Sequence, residues 1–141
     1  MIERDYIMRI LQEFFEAIAK VMRREIPGQE PDLSEIQERF REMYKQFFRK
    51  PAEYFYETEK EDILESLKKE GRSDKDTFAK AQMLSELLYQ DGRIKKDISE
   101  RCMLLEKALY LLEYLDRDSR TFSWDRGQKM EDIRKMLIEY S

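Results

Sequence analysis

The chain has 141 residues, of which 41% are charged and 41% hydrophobic, and a net charge of -4. That apolar fraction is too high for intrinsic disorder, and a mean hydropathy of -0.82 demands long solvated faces around a modest core. Residues 1–58 hold 10 bases and 12 acids and the remainder 17 and 19, so no basic arm or acidic tail stands out, and neither a nucleic-acid nor a membrane partner is expected.

Only four glycines and three prolines interrupt a chain rich in Leu, Met, Glu, Lys, Arg and Gln, so helix is the default. The first 24 residues place Tyr6, Ile7, Ile10, Leu11, Phe14, Phe15, Ile18, Val21 and Met22 at steps of three and four. This apolar face is wide, and needs either two neighbours or one neighbour and a partner chain to cover it. Pro27 and Pro31 then predict a loop over 26–31.

Asp32 suits a helix cap, and Leu33, Ile36, Phe40, Met43, Tyr44, Phe47 and Phe48 form the seam of an aromatic-rich segment over 32–56. Pro51 predicts a break near Arg49 and Lys50, followed by a short helical turn through Tyr54, Phe55 and Tyr56. Thr58 with Glu61 reads as a capping box for a helix that stops at Gly71. Asp74 or Asp76 is expected to cap the next helix, whose stop is placed at Gly92. The segment from Ile98 to Leu115, opened by Asp97, is the most apolar and is predicted to be the centre of the fold. Residues 119–123 read as loop before a last helix from Trp124 to Glu139.

The expectation is therefore an all-α single domain, 1–141, of six to seven antiparallel helices, arranged as a bundle or as a short right-handed superhelix over 59–141. Asp5-Tyr6-Ile7-Met8-Arg9 and the amphipathic stretch after it are similar to the start of an uncharacterised family of small bacterial helical proteins. Ala108 to Leu115, with the polar loop and final helix that follow, resembles that family's tetratricopeptide-like end. The resemblance implies a helical-repeat fold and a bacterial cytosolic setting, and carries no activity. The tetratricopeptide pattern's closing proline is missing here.

Chemistry is bounded chiefly by the absence of histidine, which removes Ser-His and Cys-His nucleophile systems and the imidazole ligands of helical di-iron sites. Glu13/Glu16, Glu35/Glu38/Glu42 and Glu57/Glu61 have helix-neighbour spacing, but acids so placed alternate with bases as solvated faces, and no metal or other cofactor is assigned. Cys102, the single cysteine, cannot form an intramolecular disulfide, lies in an apolar register and reads as packing, which suits a cytoplasmic location.

Tyr54, Phe55 and Tyr56 cannot all face one core, so at least one should meet a surface or interface. With Phe14 and Phe15 of the wide first helix they form the candidate interaction surface. The leading expectation is a non-enzymatic helical protein-protein interaction module, self-associating as a homodimer or binding another protein. The alternative is a small-molecule binder or enzyme using carboxylates, lysines and tyrosines in a groove between helices, of hundreds of cubic ångströms. No catalytic residue is assigned.

Overall fold

In a computed structural model describing residues 2–23, 28, 30 and 32–141, seven helices follow one another and no strand occurs among the described residues. They are α1 (Ile2–Met22), α2 (Leu33–Phe48), α3 (Ala52–Glu57), α4 (Lys60–Glu70), α5 (Asp74–Ile94), α6 (Ile98–Asp118) and α7 (Trp124–Glu139). The predicted loop at 26–31 falls largely outside the described residues, Pro27 and Pro31 included.

Most ends follow capping chemistry. Asp32 accepts hydrogen bonds from the Ser34 and Glu35 amides, and Asp97 from the Glu100 amide. Three predicted signals are corrected. Ser73 caps α5 by accepting from the Asp76 amide, in place of either aspartate, because a hydroxyl one residue before the helix reaches the free amide that Asp74 and Asp76, already inside it, cannot. Thr58 closes α3 instead of opening α4, whose N-cap is Glu59 with no side-chain hydrogen bond. Gly92 does not end α5: it is buried within the helix, where an added Cβ would stand 3.2 Å from the Leu104 Cβ, so glycine serves close helix packing.

Helices α5, α6 and α7 form a consecutive antiparallel hairpin. Phe78 near the start of α5 meets Tyr114 near the end of α6, and Arg101 early in α6 binds Tyr140 beyond the end of α7. The centre of the fold is α5, not α6: it packs against α1, α2, α4 and α6 together, whereas α6 begins with Ile98 at 53% exposure. The wide face of α1 is covered within the chain by α5 and α2. One hydrophobic cluster links residues of all seven helices, from Phe14 through Phe40, Phe55, Ile63, Leu87 and Leu111 to Ile133. Among the described residues no helix is long and apolar enough to cross a membrane.

Candidate functional site

The corner where α2 turns into α3 faces the corner where α4 turns into α5, and a groove of about 380 Å³ lies between them. Arg49 makes the first corner by adopting the left-handed conformation at φ 58°, which ends α2 before Pro51. Gly71 makes the second: a Cβ there would sit 2.1 Å from Thr77 Oγ1, so only glycine lets the chain pass so close. Asp76 Oδ2 accepts from the Arg72 amide at 3.0 Å and holds the turn, while Asp76 Oδ1 is buried with no donor among the described residues. Lys50 crosses the gap to Ser66 Oγ at 3.1 Å and pairs with Glu70.

The walls pair aromatic rings with cations. Lys50 lies 4.8 Å from the Tyr54 ring centre and Arg72 lies 5.0 Å from that of Tyr6. Lys80 reaches in from α5 towards the Phe47 carbonyl at 3.4 Å. Burial pushes its ammonium pKa down, with Arg49 and Arg72 adding to the fall while Asp76 and Glu70 oppose it.

A second polar constellation centres on a carboxylate buried in the core. Asp91, fully buried on α5, accepts from the phenols of Tyr44 at 2.7 Å and Tyr56 at 2.5 Å. Lys95, one turn further on, stands 3.5 Å from Asp91 Oδ1, near enough for charge attraction, yet that oxygen receives no hydrogen bond. Lys95 also donates to Gln37 Oε1 at 2.7 Å and to the Tyr56 hydroxyl at 3.1 Å. Lys107 of α6 secures the arrangement from behind, donating to the Phe55 and Tyr56 carbonyls at 2.7 and 2.9 Å. Six-residue α3 is too short to hold itself helical, so this lysine and the Arg41–Glu53 pair fix where Tyr56 points.

A tyrosine beside a lysine can serve as a general acid when the cation lowers the phenol pKa. Here burial first, and Asp91 second, push both the Tyr44 and the Tyr56 phenol up, and Asp91 has no exposed surface for a substrate to reach. The network is a structural latch joining α2, α3 and α5. Its pH dependence follows from the sign of these shifts. Below the ordinary phenol value of 10.0 folded and unfolded chains both keep their protons and the latch is intact. Above it the unfolded chain releases protons that the folded one holds, so stability should fall as pH rises. The slope should approach about 1.4 kcal/mol per pH unit for fully buried Tyr44 and be smaller for Tyr56, which solvent partly screens. Urea titrations from about pH 8 to about pH 11 read this directly, and a Tyr44→Phe, Tyr56→Phe chain that kept the wild-type slope would contradict it.

The five residues expected to form an interaction surface separate. Phe14 is fully buried against Phe15, Phe47 and Phe48, and Phe55 is buried against Tyr44 and Phe48, so neither offers surface to a partner. Phe15 is half-buried against the core cluster, Tyr56 is half-buried on Asp91, and Tyr54 lines the groove. The exposed aromatics lie elsewhere. Phe122 and Trp124, at 87% and 72% exposure, flank the Ser123 cap of α7, one in the polar loop before it and one at the first position of the helix. Cys102 is half-buried, and no group of three potential metal-ligating side chains gathers among the described residues.

No protein-family model, curated protein or solved structure matches the chain.

Proposed function

We propose that this chain is a non-enzymatic helical protein-protein interaction module whose contact surface is the corner between α6 and α7. The observation that carries the reading is the exposure of Phe122 and Trp124, two large aromatics within three residues. Their backbone is held on both sides. Ser119 closes α6 on the Leu115 carbonyl, and Ser123 opens α7 by accepting from the Arg126 amide. Arg126 in turn reaches Asp116 and the Thr121 carbonyl. Aromatic anchors on a rigid backbone lose little conformational entropy when covered, which is the profile of interface hot spots. The free cysteine and the mixed-charge surface support a cytoplasmic setting for such a module.

Because both side chains stand in solvent, Phe122→Ser with Trp124→Ser should leave stability within about 0.5 kcal/mol of wild type while abolishing partner capture or self-association. Trp124 is the single tryptophan, so its emission should be that of a solvated indole in the free chain and shift to the blue on contact. Light scattering across a concentration series separates self-association from a foreign partner. An equally folded double variant that retained every wild-type contact would sink the reading.

A further inference from the structure

We propose that the groove between the α2–α3 and α4–α5 corners is a binding site for a small organic phosphate, independent of the Phe122–Trp124 surface, with which it shares no lining residue. Four bases, Arg49, Lys50, Arg72 and Lys80, line it against two acids, Glu70 and Asp76, in a chain whose net charge is -4. The local excess of positive charge thus opposes the charge of the whole molecule. The two acids that could neutralise it are partly committed: Glu70 to Lys50, and Asp76 Oδ2 to the Arg72 amide. The guanidinium groups of Arg49 and Arg72 have no carboxylate partner among the described residues.

Burial is the main cause of the lowered Lys80 ammonium pKa, and Arg49 and Arg72 stand near enough to add to the fall against the opposing pull of Asp76 and Glu70. A dianion placed beside Arg49 and Arg72 supplies the counter-charge these two guanidinium groups lack, and guanidinium groups match phosphate oxygens in the paired geometry that point-charge contacts lack. The volume, about 380 Å³, exceeds what a bare inorganic phosphate fills. Most of the rest of the lining is aromatic or aliphatic, with Tyr6 and Tyr54 the half-buried rings among it, so the organic part of the ligand has an apolar wall to meet.

The test uses the full chain at low salt, with phenyl phosphate, inorganic phosphate and phenol as probes in titration calorimetry. Phenyl phosphate should bind at one site per chain, more tightly than inorganic phosphate, and phenol should show no binding. Arg49→Asn removes a cation but keeps a residue that accepts the left-handed conformation, so the fold should be unaffected. Arg49→Asn and Arg72→Gln should each weaken phenyl phosphate by roughly tenfold or more. Lys135→Gln, the same charge change on exposed α7, should leave affinity unchanged, and thermal midpoints of all three variants should match wild type. Two results would overturn the proposal: no saturable binding of phenyl phosphate at millimolar concentration, or binding that the Arg49 and Arg72 variants leave intact. Since the Phe122→Ser, Trp124→Ser chain retains the groove, it should bind phenyl phosphate like wild type, and this keeps the two readings separable.

Discussion

Replacing Asp91 with alanine should destabilise the protein by about 3–5 kcal/mol, read as a lowered midpoint of urea unfolding at neutral pH. The cost does not come from the carboxylate's own hydrogen bonds alone. Removing it leaves the Tyr44 hydroxyl, in a fully buried side chain, without its acceptor, deprives the Tyr56 hydroxyl of the same acceptor, and takes from Lys95 the carboxylate it is paired with. Asp91→Asn should be milder, because an amide oxygen can still accept from the phenols while the charge attraction to Lys95 disappears. A cycle comparing Asp91→Ala with Tyr44→Phe and with the pair separates these contributions, and strong non-additivity is expected. A loss below about 1 kcal/mol for Asp91→Ala would show that the network does not hold α2, α3 and α5 together.

Phe14→Ala should cost a similar amount, about 3–5 kcal/mol, by opening a cavity that rigid neighbours cannot fill. Its ring is fully buried, edge-on to Phe15 at 5.1 Å and to Phe47 at 5.2 Å, so several aromatic contacts disappear with it. This substitution also decides between two roles for α1. If Phe14 served a partner, alanine would leave the isolated chain's unfolding midpoint unchanged and weaken association. As a core residue it should lower the midpoint of the isolated chain at every protein concentration, since α5 and α2 already cover the helix.

What the residues reveal directly is local. The steps of three and four in α1 and α2, the Asp32 and Asp97 caps and the break at Pro51 lie within one or two helical turns, where neighbouring side chains and backbone settle the outcome. The errors at Ser73, Thr58 and Gly92 arise where two adjacent residues carry competing signals, or where a glycine's purpose is set by another helix. The identity of the central helix was hidden for a related reason. Helix α6 has the longer run of leucines, but α5 buries Asp76, Thr77, Ser85 and Asp91 as well as its apolar residues, and a polar side chain looks solvated until its partners are known. Asp91 does follow Leu87 and Leu88 in the core register, and Lys107 lies between Leu104 and Leu111 in the same way. An ionisable group on an apolar face is the one trace the sequence carries of the latch.

The groove was not legible at all, because its bases come from two corners separated by more than twenty residues and from the body of α5, and each corner alone is an ordinary surface turn. The all-helical architecture was determined by the sequence itself, through composition, apolar periodicity and caps, since helical hydrogen bonds close within four residues. The tertiary structure decided which polar groups are buried, which aromatics remain in water and which cations converge. Those outcomes depend on groups far apart along the chain, as with Tyr44 and Asp91 (47 apart) or Lys107 and the Phe55 carbonyl (52 apart), and only the packing of the helices against one another brings them within bonding distance.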